Sequence, residues 1–554
     1  MSDNDNEFLN SLDPLLVTST AIGVSFLLVL LTGFTRYHWI TRRTPFDGIP
    51  CPPNPHWFLG HVGWFRGKAF HDTLYQATVA HANDCGQTGF WVLCFGQRAV
   101  SVTDGDDARA ILNSTTYRNP LVFLRRHMHR FLGNNNIGLL NGAEWKFHRS
   151  AVLRSFSPKN QLANTTTIHK AICRVLDTLL ESITEKLQQK DSDSDSSSTT
   201  ALQMDIEALM KMITVDVFGT TALGEDFECC KHLRPSRIAV AFDYLGREFS
   251  DRMFAFSDPT KMLYSIPTAA NRRHARERKY IRGFLNKLVR QHQEKQQGKD
   301  EKTTTASTSV NKDLLSNLLE AHRVLKEQGE LEDDVSTDTV SDVLMSLLFA
   351  GYDTTSITLT YALYHVAKHP ELESILYEEI TRQGLDDFSR LEYCKAFILE
   401  TLRLYPPGPT VSRTLTKDVR LSGGFVAPKG TFAFVPIWTI QRNEKLYPKA
   451  NEFHPERWVK REESEEGAWQ ERGETDELPD MIAPANRRAF LAFSSGGRSC
   501  AGYKFAMQEA ITVFSFLVKH LTFNLPKDYV VEPHRVGIVQ SPKGVMPMSI
   551  ALRK

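Results

Sequence analysis

The chain has 554 residues, 24% of them charged, with 66 basic against 65 acidic side chains and a formal net charge of +1. That length exceeds the usual single-domain range of about 50 to 250 residues and allows two or more domains. The near-neutral balance leaves no basic excess for a nucleic-acid partner and no acidic tail.

From Pro14 to Thr35 no residue is charged, and Leu, Val, Ile and Phe dominate. As a helix, this run is roughly 33 Å long at 1.5 Å per residue, enough to cross a hydrocarbon core of about 30 Å. Asp3, Asp5, Glu7 and Asp13 precede it, and Arg36, Arg42 and Arg43 follow. The basic flank belongs on the cytoplasmic side, so residues 1–13 are expected in the lumen and the body in the cytosol. No Lys or Arg precedes the apolar run, unlike the basic start of a cleaved secretory signal. Thr44 to Pro55 is proline-dense. Residues 36–55 therefore read as a semi-rigid basic linker between an anchor at 14–35 and a body spanning 56–554.

Within the body, short β-type runs are expected at Phe90–Val102 and Val419–Val435, the second with Gly423-Gly424 and Pro428-Lys-Gly430 turns. Apolar residues keep a helical period between about 160 and 405, so the fold class is mainly α with minor β sheet. Three polar stretches, near 188–200, 291–312 and 460–480, hold too few apolar side chains to offset the entropy of ordering. They are expected as surface loops of one domain. The eight cysteines show neither CxxC pairs nor regular spacing, and the adjacent Cys229-Cys230 reads as ordinary packing, which indicates no zinc site or disulfide framework and fits a reducing, cytosolic setting.

The chemistry-bearing residues follow in order. Arg118, Arg125, Arg126, His127, His129 and Arg130 form a cationic stretch, read first as a solvated or partner-facing patch and second as a site for an anionic substrate headgroup. Trp145 and Arg149 stand one helical turn apart, and both suit a carboxylate, Arg bidentately. Ala350-Gly-Tyr-Asp353-Thr354-Thr355 lies inside an otherwise apolar helix expected over about Val340–Lys368. Polar groups there are costly unless they are used. Glycine with a threonine hydroxyl bonded one turn back can open a notch. Glu400 and Arg403 share a helix face, Tyr405-Pro-Pro ends that helix, and Phe453-His-Pro-Glu-Arg457-Trp458 comes about fifty residues later.

Finally, Phe493-Ser-Ser-Gly-Gly-Arg498-Ser-Cys500-Ala-Gly502 places a cysteine in a glycine-rich loop ahead of a helix-forming run, Tyr503 to Val518. A thiolate needs positive potential at neutral pH, which Arg498 and the following helix N-terminus are expected to supply. Gly496, Gly497 and Gly502 permit a sharp turn and a close approach to a flat partner. The residues alone leave open a nucleophile or a metal ligand.

The ten-residue loop matches the haem-binding signature of the cytochrome P450 family, Phe-x-x-Gly-x-Arg-x-Cys-x-Gly, at every defined position. The upstream segments resemble the family's oxygen-activation, Glu-x-x-Arg and Pro-Glu-Arg motifs, in the family's order. The resemblance covers roughly Pro50 to Arg553 and implies a microsomal-type, membrane-anchored haem-thiolate monooxygenase of the family's fold. Cys500 would be the axial ligand of haem b, with Phe493 beside it. Arg498, Trp145, Arg149 and Arg413 would meet the haem propionates, and Glu400, Arg403 and Arg457 would form a buried network. Thr354 would hydrogen-bond dioxygen, and Asp353 would help deliver protons for its cleavage.

The resemblance further implies electrons from NADPH through a separate, acidic reductase docking near the Cys500 loop, and it admits cytochrome b5 as a second donor. A single-pass location in the endoplasmic reticulum membrane follows. Substrate contacts would fall near Tyr117–Ile137, Phe242–Ile266, Pro406–Thr410 and Gly537–Met546, apolar segments that suggest a lipophilic substrate. The acidic 460–480 stretch departs from the family's spacing. Two competitors remain: a haem-thiolate isomerase or dehydratase acting on peroxides without external electrons, which Thr354 disfavours, and a haem-sensing or scaffolding protein.

Overall fold

The computed structural model describes residues 23–35 except 26, 46–53, 61, 70–92, 97–115, 117–118, 122–156, 158–192, 201–253, 261, 263–300, 313–329, 335–459, 489–534 and 538–553. Helices carry most of them: α1 (Phe70–His81), α2 (Gly105–Ser114), α3 (Val122–Leu132), α4 (Gly142–Ser155), α5 (Pro158–Ser192), α6 (Ile206–Phe218), α7 (Arg237–Met253), α8 (Ala269–Asp300), α9 (Leu314–Glu327), α10 (Thr337–Lys368), α11 (Pro370–Gln383), α12 (Glu392–Leu404) and α13 (Tyr503–His520). The strands used below are β1 (Gln87–Val92), β2 (Gln97–Val102), β3 (Leu202–Asp205), β4 (Val411–Thr414), β5 (Phe432–Val435), β6 (Leu521–Asn524) and β7 (Pro547–Leu552).

Several helix starts are written in the sequence. Asp104, Asp205, Asp313 and Ser336 are N-caps whose side-chain oxygens accept backbone N–H groups of the first turn. Ser336 thereby fixes the start of α10, the longest apolar helix, whose face is buried from Val340 to Val366. α10 packs against α6, α8, α12 and α13, and their leucines, isoleucines and phenylalanines form the larger apolar core. Burial of this kind, at about 25 cal/mol per Å² of apolar surface, is the main stabilising term.

The minor sheet matches the expected runs. β1 and β2 form an antiparallel hairpin, Phe90 opposite Ala99. β2 then pairs in parallel with β5, Val100 against Ala433, and β5 pairs antiparallel with β4. Parallel pairing between segments so far apart needs a long crossover, and the helical body supplies it. A smaller sheet joins β3, β7 and β6. A second apolar core lies under the first sheet, around Val100, Ile111, Leu112, Ala433, Val435 and Leu491. It ties the sheet to α2 and to the segment just before the cysteine loop.

Two expected loops are shorter than the sequence suggested. α5 continues to Ser192 and α8 to Asp300. Gln, Glu and Lys are good helix formers, so polar composition does not end a helix already nucleated. The remainder of both stretches, and all of 460–480, lie outside the described residues. So do residues 1–22 of the expected lumenal segment and anchor, and 36–45 of the linker. Residues 23–25 and 27–35 are helical. Among the described residues no helix is long and apolar enough to cross a membrane.

Candidate functional site

The cysteine loop is held by its own backbone. Cys500 N–H donates to Phe493 O at 2.9 Å and Ser499 N–H to Gly496 O at 2.8 Å. Gly496 has φ +73°, and a Cβ there would lie 2.6 Å from Asn113 Oδ1 and 2.7 Å from Leu112 O. The glycine is therefore required by the end of α2. Cys500 sits deep in the molecule, yet its side chain opens onto a cavity of about 720 Å³. Phe493, Trp145, Arg118, Arg149, Arg413 and Arg498 line the same cavity, as do Ala350, Gly351, Thr354 and Thr355 of α10.

The expected source of thiolate potential is corrected. Arg498 turns away from Cys500, donating to Ile137 O at 3.2 Å, to Leu140 O and to Asn141 Oδ1 at 2.9 Å, and stacking 4.1 Å over the Trp145 ring. Burial pushes the Cys500 thiol up, while the Gly502 N–H and Arg149 pull it only partly back. A desolvated thiol favours its neutral form. Ligation to a metal would ionise it, because a metal-bound thiol is deprotonated outright.

The arginines form a cluster larger than the sequence predicted. Arg118, placed there in a solvated patch, is half-buried and lines the cavity with Arg413, Arg498 and Arg149. Its backbone N–H donates to Asn141 Oδ1 at 2.8 Å, so the residue that precedes α4 aims it inward. Arg149 donates to Ser499 O at 2.7 Å, tying α4 to the cysteine loop. Arg413 is fully buried on β4; Nη1 reaches Ser412 O at 2.9 Å, but among the described residues Nε and Nη2 find no acceptor, and neither does Arg118 Nε. Burial, then repulsion from Arg118 and Arg498, pushes the Arg413 guanidinium down to about 8. Burial and Arg149 likewise hold Arg118 down to about 10.

Buried donors of one charge sign call for anions. Two carboxylates at the cavity edge would satisfy these orphaned N–H groups, and the two propionates of a haem are of that kind. The residues present therefore fit the cofactor.

On α10, Thr354 Oγ1 donates to Ala350 O at 2.5 Å, one turn back, and Thr214 of α6 donates to Tyr352 O at 3.1 Å. A Cβ on Gly351 would lie 2.9 Å from the Phe218 ring, so the glycine admits α6 at close range, and the helix itself stays unbroken. Asp353 does not line the cavity. It is buried on the side of α6, 3.8 Å from Lys211 Nζ, which also holds Glu207 at 2.8 Å and Asp243 at 2.9 Å. Adjacent helical residues point about 100° apart, so Thr354 and Asp353 serve different neighbours.

The Glu400 carboxylate and the Arg403 guanidinium are both fully buried and paired at 2.8 Å. Glu400 also accepts from Arg457 Nε at 3.2 Å, Trp458 Nε1 at 2.9 Å and the His454 N–H at 2.9 Å. Arg403 spends its remaining donors on the carbonyls of Gln441, Ala450 and Glu452. Trp458 and the three carbonyls were not foreseen.

Of the expected substrate-contacting segments, Met128, Ile137, Pro407, Gly408, Thr410 and Ile538 line the cavity. Phe131, Phe242 and Phe249 instead pack together and against Phe349 of α10, with Phe131 and Phe249 stacked at 5.5 Å. Arg125, Arg126 and Arg130 are exposed, whereas His127 is buried and hydrogen-bonds Tyr264 at 2.9 Å.

Comparison with known proteins agrees with this geometry. The family model described as Cytochrome P450 matches residues 50–547. Cytochrome P450 4F12 of Homo sapiens is 25% identical, with 98% of this chain and 97% of that protein covered. Cytochrome P450 monooxygenase sphH of Aspergillus fumigatus is also 25% identical, covering 95% of this chain and 91% of the relative. A solved structure titled "Crystal structure of a Cytochrome P450 (CYP102L1)" superimposes with a TM-score of 0.68 at 17% identity, over 91% of this chain and 99% of that one, which shows the fold. The chain belongs to the cytochrome P450 family, whose members are oxygen-incorporating oxidoreductases.

Proposed function

We propose that the protein inserts one oxygen atom from dioxygen into a lipophilic substrate, with Cys500 as haem ligand and electrons drawn from NADPH through a separate reductase. The observation that carries the reading is one cavity shared by an open cysteine, orphaned arginine donors and Thr354. Bound there, a haem with a thiolate ligand supplies the oxygen chemistry, the thiolate pushing electron density toward O–O cleavage. The chain's own residues do the rest. Arg413 and Arg118 would neutralise the propionates, and Arg149 braces the loop at Ser499. Thr354 would present its hydroxyl proton at Oγ1 to the cavity by releasing Ala350 O. Asp353 would act on the far side of α10, through Lys211. Glu400, Arg403 and Arg457 would fix the backbone beneath the cysteine loop.

Met128, Ile137, Leu347, Val411, Ile437 and Ile538 give the cavity an apolar wall, which favours a lipophilic substrate. Lys146 on α4 and Lys504 on α13 are exposed on the elements that flank the cysteine loop, a fitting surface for an acidic electron donor. Val24, Leu27, Leu28, Leu31 and Phe34 are exposed along the N-terminal helix. A contiguous apolar surface of this kind supports a membrane anchor, with the body on the cytosolic face of the endoplasmic reticulum.

The test is the spectrum of the reduced, carbon-monoxide-treated protein. A thiolate-type Soret band is expected, absent in Cys500→Ala. The same band in that variant would overturn the ligand assignment. A spectral-shift screen of fatty acids, sterols, terpenoids and xenobiotics would then identify the substrate class.

A further inference from the structure

The segment that joins α3 to α4, Gly133 to Asn141, has no strand or helix of its own, yet it carries Ile137, Gly138 and Leu139 into the cavity wall. Backbone groups without a ladder must find their partners elsewhere. At the far end Arg498 supplies them, donating to Ile137 O, Leu140 O and the Asn141 side chain. That end of the wall is therefore fixed by the cysteine loop.

The near end is held by Asp342 of α10, which is buried and does not line the cavity. Its Oδ2 accepts the Asn135 N–H at 3.0 Å, and its Oδ1 accepts Arg282 Nη1 of α8. Asn135 adds a second tie through Nδ2, which donates to Thr339 Oγ1 at 2.9 Å in the first turn of α10. Gly133 packs directly on the same carboxylate. At its φ of +94°, a Cβ would fall 1.9 Å from Asp342 Oδ1 and 2.1 Å from Cγ, so only glycine fits. The contact is passed inward by Asn136. Its Nδ2 donates to Gly133 O at 2.6 Å, and its carbonyl accepts the N–H groups of Leu139 and Leu140 at 3.1 and 3.2 Å. A shift at Gly133 thus moves Ile137, Gly138 and Leu139 together. An ion pair that only joined α8 to α10 would need no third segment against its carboxylate. Arg282 and Asn286 already reach Asp338 at 3.3 and 2.9 Å for that purpose.

We propose that Asp342 is a positioning residue that sets substrate width: it holds Gly133 and Asn135 against α10, and thereby fixes how far Ile137, Gly138 and Leu139 stand into the cavity. A broad ligand must displace that wall against a hydrogen bond to a charged acceptor, which is stronger than a neutral one. Asp342 acts from about 18 Å along α10 from Thr354, at 1.5 Å per residue, so selection by width is separated from the residue expected to handle oxygen. The proposal rests on the monooxygenase reading, whose substrate it constrains.

Spectral titration of the haem-loaded protein with two iron-binding ligands, imidazole and a triarylmethylimidazole, tests it. In Asp342→Ala, imidazole should bind as in the wild type, while the triarylmethylimidazole should bind roughly 10-fold tighter, the factor that one hydrogen bond to a charged group withholds. Gly133→Ala drives a Cβ into the carboxylate and should also change the ratio of the two affinities. It should change that ratio less when Asp342 is already alanine, because two alterations of one contact are not additive. A merely structural aspartate would lower stability and leave the ratio alone. An unchanged ratio in an Asp342→Ala protein with the wild-type thiolate band would therefore overturn the proposal. If Asp342→Ala does not fold, Asn135→Ala, which cuts the Thr339 tie and spares the ion pair, must shift the ratio in the same direction or the proposal falls. A wild type that shows no imidazole shift at all would instead refute the cofactor reading beneath it.

Discussion

Glu400→Gln is the most severe conservative substitution the structure predicts. Glutamine fills the same volume but removes the charge opposite Arg403, which remains fully buried. Its amide nitrogen must also face either Arg403 Nε and Trp458 Nε1 (2.8 and 2.9 Å) or Arg403 Nη2, His454 N–H and Arg457 Nε (2.8, 2.9 and 3.2 Å), so at least two of the five donors meet a donor. Leaving one partner of a buried pair uncompensated costs about 3–5 kcal/mol. A domain's whole stability is about 5–15 kcal/mol. At about 1.4 kcal/mol per decade, the folded-to-unfolded ratio should fall by roughly two to three and a half decades. Urea unfolding of the haem-loaded protein, followed by the thiolate-type carbon-monoxide band, should show the midpoint lowered with an unchanged slope. The double variant Glu400→Gln/Arg403→Met should cost less than the two singles summed, because they share one interaction. A loss below about 1 kcal/mol, or strict additivity, would refute the claim that this pair is a desolvated ion pair.

Arg413→Met separates the empty from the loaded state. Without haem it relieves repulsion with Arg118 and Arg498 and should stabilise by about 1–4 kcal/mol; with haem it should speed cofactor loss. Because the Arg413 guanidinium is depressed in the fold, the haem-free wild type should gain stability as pH rises above about 8, and Arg413→Met should lose that slope in thermal melts. Gly496→Ala forces a Cβ within 2.7 Å of α2 at φ +73° and should cost about 1–3 kcal/mol with a weakened thiolate band. Thr354→Ala leaves α10 intact and should keep reductant consumption while product falls roughly 10²-fold; unchanged coupling would count against its hydroxyl.

The cysteine loop was legible because its constraints are local: a positive φ at Gly496, a Phe493–Cys500 turn and a helix start at Tyr503 all fall within a dozen residues. α10 was equally plain, since Ser336 caps it and its apolar face sustains one period over many turns. The basic stretch was not. Arg118 and Arg125 are the same residue type seven positions apart, yet Asn141, distant in sequence, turns one toward the cavity while the other stays exposed. Nothing in composition separates them, because the difference is a tertiary contact. The phenylalanines of α3 and α7 show the same limit. Their apolarity marks a buried surface, but whether they pack on each other or line a cavity depends on how the helices cross.

Asp353 and Glu509 show where helix geometry could have gone further than motif order. Asp353 precedes Thr354 by one residue, about 100° around the helix, so a threonine facing the cavity already implies an aspartate facing elsewhere. Lys211, Glu207 and Asp243 are what it meets there. Glu509 carried a signal of its own: an acid between Met507 and Ala510 in a helix whose residues from Met507 to Val518 are all buried. A carboxyl in that setting is either saturated by donors or protonated; burial pushes this one up to about 8, and the Thr355 hydroxyl tempers the rise. The side of α10 that turns toward α13 therefore meets a buried carboxyl without a charged partner, whereas the side that turns toward α6 meets an ion cluster in which Lys211 faces three carboxylates. Which partners each side of α10 meets is set by the packing of α6 and α13 against it, and the motif alone does not specify that.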